Sequence, residues 1–377
     1  CSIKPKVLGV CFFTTKSRSF TELISERVKK KDKNITILFG GPETYRTGEF
    51  YYNKGICDYY IKGEADVSLP NFMKGQLDNI NDWGIQPTDL ENLPYPNYSD
   101  FDFSLYNDGV YEDINNRTPG VKTLHITGSR GCVRRCTFCN VPAQWPIFRQ
   151  RSAESLFNEM KIQYELYNIK NFSFTDSLIN GNIKTLWTLC DMLITYYKEN
   201  NIKEPFNFGG QFICRNKKQM PPELWETAGK AGLRWLKVGV ESVSEVVRKD
   251  MKKKYTNEDL WYCLHQSSIN NINSYLLFIV GWPTEDENEF MKNVKFVYEL
   301  KNNPEILEHI KLISISKLSF FPDTPIYERM EQYGVSLNNK PWNWSNAMVD
   351  EDLRNTRQKI FSKAIKDVGI KLNAWPL

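Results

Sequence analysis

At 377 residues the chain exceeds the usual size of one domain, so two domains, or one large barrel with an appendage, are expected. Its 41% hydrophobic and 25% charged residues make an ordinary globular composition and exclude collagen-like, extensively disordered and disulfide-scaffold classes. A formal charge of +4 is small for this length, and Lys29–Lys31 and Lys252–Lys254 lie in mixed, helix-like stretches, so both runs read as solvated faces and nucleic acid is not an expected partner.

No apolar run approaches the ~18 residues of a bilayer crossing, and the first residues lack a signal layout. A cytoplasmic protein without membrane contact is the expectation. The nine cysteines are odd in number and three crowd into eight residues, which is ligand usage in a reducing compartment. The chain starts at Cys1 and not Met, so a processed, engineered or incomplete product is expected.

From residue 7 to about 78, β-rich runs (Val7–Phe13, Ile35–Phe39, Tyr59–Ile61) alternate with helical stretches, the last at Leu69–Gln76. That order predicts a parallel α/β sheet. Gly40-Gly41-Pro42 and Gly63-Glu64 directly follow strands, where open sheets place ligands; each also reads as a plain strand-to-helix turn. Residues 79–120 lose periodicity and collect Pro, Asn, Asp and aromatics, as in Leu93-Pro94-Tyr95-Pro96, and read as an ordered connector.

Alternation resumes over residues 121–335. Strands are expected at Val121–Thr127, Asn171–Thr175, Phe206–Phe212, Trp235–Val240, Ser274–Val280 and Lys311–Ser319. Helices are expected at Ala153–Tyr167, Ile183–Asn200, Pro222–Gly232, Asn257–Asn270 and Glu285–Leu300. Six βα units predict a partial parallel barrel whose site lies at the strands' carboxyl ends. Asp176, Arg215, Glu241, Gly281 and Pro322 occupy those ends. Residues 336–377, with Trp342, Trp344 and a charged helical run Glu351–Lys371, carry no motif and are expected to cap the barrel.

Cys132, Cys136 and Cys139 follow the first barrel strand in a loop containing Gly128 and Gly131. Three thiolates can hold three irons of a [4Fe–4S] cluster and leave the fourth open. A structural zinc site would want four ligands, and none of His125, His265 or His309 pairs with another ligand at zinc-finger spacing.

This C-x3-C-x2-C loop, with Phe138 before the last cysteine, resembles the radical S-adenosylmethionine (SAM) superfamily. The likeness extends to Arg149-Gln-Arg151-Ser152-Ala-Glu154 leading into Glu159, Phe172–Asp176, Gly239-Val-Glu241-Ser242 and Phe278-Ile-Val-Gly281-Trp-Pro283. Pro322-Asp323-Thr324-Pro325 matches except that Asp323 replaces the usual Gly. The resemblance implies that SAM chelates the open iron and is reductively cleaved to a 5′-deoxyadenosyl radical. It implies SAM contacts at Phe138, Asp176, Ser177, Arg215, Glu241 and Gly281, and a reducing partner such as flavodoxin or ferredoxin.

With Gly40-Gly41-Pro42, Asp58–Glu64 and the Leu-Pro connector, the chain resembles the cobalamin-binding subclass, in which a Rossmann-like domain precedes the barrel. That implies a cobalamin contact at Gly40, Gly41, Gly63 and Glu64, and most often methyl transfer to an unactivated carbon of a small-molecule or peptide substrate. Ring closure and rearrangement are also known there. Such domains normally have five strands and three are found, so residues 1–78 are expected to be an incomplete cobalamin domain. Two other readings stand beside this one. Sulfur insertion by a methylthiotransferase-like protein would need a second cluster, with Cys1, Cys11 and Cys57 as offered ligands, although Cys11 reads as a buried mid-strand residue. A non-enzymatic iron–sulfur redox sensor would not cleave SAM.

Overall fold

A computed structural model describes residues 5–12, 18–103 and 122–374. Cys1, Phe13, residues 104–120 of the expected connector, Val121 and the last three residues lie outside the described residues. The chain divides into two compact units, Cys1–Pro94 and Tyr95–Leu377.

In the first unit, β1 (Val7–Cys11), α1 (Arg18–Lys31), β2 (Thr36–Gly40), α2 (Thr44–Asn53), β3 (Tyr59–Lys62), α3 (Ser68–Met73) and β4 (Asp82–Trp83) follow in order. The strands form one parallel sheet in the order β1-β2-β3-β4. Alternate side chains of β2 feed opposite layers: Ile37 and Phe39 pack with Phe12, Tyr51 and Tyr60, while Leu38 packs with Ile61 and Ile80. A strand covered on both faces reads as a continuous apolar run, which is why Thr36–Gly40 was legible. β4 was not: it is a two-residue strand inside the stretch expected as connector, too short to show a period.

The second unit contains β5 (Thr123–Ile126), β6 (Ser129–Arg130), α4 (Val141–Gln144), β7 (Arg149–Gln150), α5 (Ala153–Tyr167), β8 (Asn171–Phe174), α6 (Ile183–Glu199) and β9 (Asn207–Phe212). Then come α7 (Pro222–Ala231), β10 (Leu233–Glu241), α8 (Glu245–Asp250), α9 (Asn257–Ile269), β11 (Asn273–Val280), α10 (Glu287–Glu299), α11 (Pro304–Leu307) and β12 (Ile310–Lys317). The unit ends with α12 (Pro325–Glu328), the β13 (Ser336–Lys340) and β14 (Asn343–Ser345) hairpin, α13 (Glu351–Asp367) and β15 (Leu372–Ala374).

Seven parallel strands stand side by side in the order β5-β8-β9-β10-β11-β12-β15. This is a partial TIM-like barrel: β5 and β15 are its edges, and no pairing joins them among the described residues. The expected count of six strands is corrected to seven. The segment expected as a cap enters the barrel instead: Phe361 of α13 sits in the core against Phe278 at 5.0 Å, and Leu372 pairs with Ile313. The charged run of α13 masked this, because its buried Phe361, Ala364 and Ile365 are a narrow stripe on a polar helix.

Local chemistry sets the helix starts. Ser152, Asn182, Asp286 and Asp350 each cap a first turn with a side-chain oxygen, and Thr256 with Asp259 forms a capping box. On α6, Leu186, Leu189, Cys190, Leu193 and Tyr197 recur at three- and four-residue spacing and face the core. No helix among the described residues is long and apolar enough to cross a membrane.

Candidate active site at the barrel mouth

The three cysteines stand in the loop between β6 and β7, a short antiparallel ribbon that returns the chain to α5. The loop is tied along its length. Arg135 donates to the carbonyls of Cys132 and Pro146, both at 2.7 Å, and the Cys139 N–H donates to the Cys136 carbonyl at 3.2 Å. Thr137 donates its N–H to the Met251 carbonyl at 3.0 Å and accepts from the Ile326 N–H at 2.8 Å. Behind the loop, the Arg151 guanidinium pairs with the buried Glu159 carboxylate and donates to the Thr127 carbonyl at 3.1 Å, joining the end of β5 to α5. Burial raises the Glu159 pKa, with Arg151 opposing the shift.

Cys132, Cys136 and Cys139 line one cavity of about 390 Å³, within the range that encloses a small organic ligand. Phe138, Asp176, Ser177 and Glu241 line the same cavity, together with Cys214, Lys253 and Tyr255. Burial pushes the Cys136 thiol up to about 11 and also raises Cys139, so ligation there would release protons. Among the described residues no three His, Cys, Asp or Glu side chains are grouped to chelate one metal ion. A four-iron cluster makes a different demand, one thiolate per iron, and three cysteines sharing one cavity fit it.

Asp176, just past β8, is buried, and its Oδ2 accepts from the Gly128 N–H at 2.8 Å. Burial raises its pKa to about 6, while the Ser129 hydroxyl and the Gly128 amide pull the other way. The carboxylate thus holds the entrance to the cysteine loop. Glu241, the last residue of β10, has φ of 62°, in the left-handed region, beside a register slip between β10 and β11. Such a conformation costs about 1 kcal/mol for a residue with a Cβ. It is held by Lys253, whose ammonium lies 2.6 Å from Glu241 Oε1 and 5.9 Å from the Phe138 ring centroid. Burial opposes the charge on Lys253, but Glu241 and the Cys136 thiol more than offset it, so the lysine pKa is raised.

Lys253 was read in the sequence as part of a solvated run, yet its side chain is only 10% exposed. Its partner lies twelve residues earlier on a strand, a pairing that linear charge patterning does not reveal.

Arg215 and Gly281 are not among the residues lining the cavity. Arg215 donates to the carbonyls of Asn180 and Gly181 at 3.0 and 3.1 Å, which fixes the turn after β8. Gly281 has φ of 79°, and a Cβ there would stand 2.4 Å from Arg354 Cγ. Its N–H donates to the buried Glu285 at 2.9 Å, and Arg357 of α13 bonds that carboxylate at 3.3 Å. In the first unit, Gly40 ends β2 and Gly41 follows it, and Gly63 and the buried Glu64 follow β3, all at the carboxyl edge of the parallel sheet.

A model of the Radical SAM superfamily matches residues 126–297. The chain is 27% identical over 323 residues to the bacteriochlorophyllide d C-12(1)-methyltransferase of Chlorobaculum tepidum, covering 82% of this chain and 62% of that protein. It is 23% identical over 315 residues to the tRNA-2-methylthio-N(6)-dimethylallyladenosine synthase of Ehrlichia ruminantium, covering 78% of this chain and 64% of that one. The chain therefore spans less than two thirds of either relative. Among solved structures it shares its fold with the radical SAM methyltransferase TsrM from Kitasatospora setae (TM-score 0.67, 17% identity), covering 90% of this chain and 68% of that one. It likewise shares its fold with the cobalamin-dependent radical SAM enzyme OxsB (TM-score 0.66, 18% identity), covering 94% of this chain and 57% of that one. The match over residues 126–297, centred on the fold that carries the cysteine loop, establishes that the chain carries a Radical SAM domain.

Proposed function

We propose that this protein is a cobalamin-dependent radical SAM methyltransferase. The observation that carries the reading is the convergence of Cys132, Cys136 and Cys139 with Asp176 and Glu241 on one cavity at the barrel mouth. When bound, the cluster with SAM would supply a 5′-deoxyadenosyl radical, and cobalamin a transferable methyl group.

The chain's own residues have separable tasks in this reading. The three cysteines ligate iron. Asp176 fixes the loop entrance through Gly128, and Glu241, paired with Lys253, presents a carboxylate to the polar part of SAM. Phe138 and Ser177 complete the SAM wall, while Arg215 and Gly281 act from behind it by holding turns. Gly40, Gly41, Gly63 and Glu64 are the proposed cobalamin neighbours, since they mark the sheet edge where open α/β folds bind ligands. The TsrM fold has been solved with cobalamin and a [4Fe–4S] cluster bound, and OxsB with aqua-cobalamin, which supports this assignment. A cytoplasmic location and a flavodoxin- or ferredoxin-like reductant belong to the same proposal.

Sulfur insertion has in its favour the likeness to several methylthiotransferases, the Ehrlichia enzyme among them. The first unit counts against it. Cys11 is exposed at the carboxyl end of β1, not buried mid-strand as its apolar neighbours suggested. Cys57 precedes β3, near the level of Thr36 and Val7 in register, and is buried, its thiol pushed up to about 12. Four residues of strand at ~3.3 Å each put the two about 13 Å apart along the sheet, at opposite edges. Cys1 lies outside the described residues.

The test is anaerobic reconstitution with iron, sulfide and hydroxocobalamin, followed by a strong reductant that brings the cobalt to Co(I) and by SAM labelled in its methyl group. Retained cobalamin that acquires the label, with S-adenosylhomocysteine as the co-product, is the expected result. Iron sufficient for two clusters, or no retention of cobalamin, overturns the assignment.

A further inference from the structure

Asp250, the last residue of α8, stands where three segments meet. Its Oδ2 accepts from the Trp282 indole N–H at 2.7 Å and from the Thr284 hydroxyl at 3.3 Å, both in the turn after β11. Its Oδ1 accepts from the Tyr333 hydroxyl at 2.7 Å and faces the Arg329 guanidinium at 3.9 Å, both in the segment after β12. The backbone at the same corner grips the cysteine loop. The Met251 carbonyl accepts from the Thr137 N–H at 3.0 Å, and the Asp250 carbonyl accepts from the Thr137 hydroxyl at 3.3 Å. Thr137 lies between Cys136 and Phe138, and the Phe138 and Trp282 rings meet in a T-shaped contact with centroids 6.3 Å apart.

We infer that Asp250 is a positioning residue for the iron-binding loop. A carboxylate accepts hydrogen bonds from several donors at once and holds them more strongly than a neutral acceptor does. Here it fixes Trp282 and Tyr333, and through them the corner on which Thr137 and Phe138 rest. The consequence is that the spacing of Cys136 and Cys139 is set before any iron arrives, which is what ligation by a short loop requires. The carboxylate is 25% exposed, so an isosteric change there leaves no cavity in the core. This inference rests on the reading that the three cysteines hold a cluster.

The experiment compares the full chain with Asp250→Asn, which keeps the shape and surrenders the charge and one acceptor oxygen. Trp282→Phe, which keeps an aromatic ring beside Phe138 but removes the N–H together with part of the buried indole, is measured beside it. Val294→Ala on α10, a core change away from the loop, serves as the control. Each protein is reconstituted anaerobically, its iron is withdrawn by a chelator, and the reduced cluster is examined by electron paramagnetic resonance. Asp250→Asn should lose iron about tenfold faster than the parent and show a shifted spectrum. Trp282→Phe should move both readouts the same way by less, and Val294→Ala should match the parent in both. An Asp250→Asn protein whose iron release and spectrum equal the parent's, or follow those of Val294→Ala, overturns the inference while leaving the cluster reading intact. A parent that takes up no iron overturns both.

Discussion

The two parallel sheets of this chain end differently at their carboxyl edges. In the barrel, that edge is built from charged side chains clamped by buried partners: Asp176 on the Gly128 amide, Glu241 on Lys253, Arg151 on Glu159. In the first unit it is built from backbone. Gly41, at φ of 99°, brings its α-carbon so near the end of β1 that a Cβ would stand 2.9 Å from the Phe12 carbonyl oxygen. A buried ion is costly to leave unpaired, so each of these charges at the barrel mouth is held to its partner. A glycine edge instead offers main chain to whatever approaches, and packing alone already accounts for Gly41.

That contrast can be broken first at the cysteines. Cys136→Ala should abolish cluster assembly, so that reconstituted iron and the visible absorption of the cluster fall to background; a variant that keeps its iron would move the cluster elsewhere. Next, Glu241→Gln leaves Lys253 buried without its counter-charge and should lower the stability of the iron-free chain by about 3 kcal/mol in urea. The double change Glu241→Gln with Lys253→Met should recover most of that loss, and failure to recover it would mean that the pair is not coupled.

A pH effect of comparable size should come from Glu285. Burial raises its pKa from the ordinary 4.5 to about 7, with the Gly281 amide and Arg357 opposing the shift. Between those values the folded chain holds a proton that the unfolded chain has released, so this group's contribution is full below about pH 4.5 and is lost as pH rises through 7. The swing is on the order of 3 kcal/mol. Glu285→Gln mimics the protonated form, so its stability relative to the parent should grow from pH 5 to pH 8; parallel pH profiles would refute this. The smallest effect is expected in the first unit, where Cys11→Ser and Cys57→Ser should leave the iron content at that of one cluster.

Much of the barrel was legible because its strands are buried on both faces. Asn171–Phe174, Asn207–Phe212 and Asn273–Val280 agree with their expected spans to within a residue at each end. The cysteine loop was legible because its chemistry is local. What escaped was set by partners distant in sequence or by segments too short to carry a period. Lys253 is buried because Glu241 turns inward at a left-handed residue, and no propensity anticipates that turn. β4 and β15 have two and three residues, and each exists by pairing with a neighbour already in place. Cys11 was misplaced because an apolar run shows that a strand is covered, not where it stops. Arg215 and Gly281 sit near the expected strand ends, yet their side of the turn faces Asn180 and Arg354 and not the cavity.

The most direct measurement is the detection of 5′-deoxyadenosine after the anaerobically reconstituted chain is given SAM and a strong reductant. Formation of the nucleoside by the parent, and its loss in Cys136→Ala, is the predicted result. A parent that holds a full cluster and yields no 5′-deoxyadenosine would contradict the account and return the cluster to a sensing or electron-carrying role.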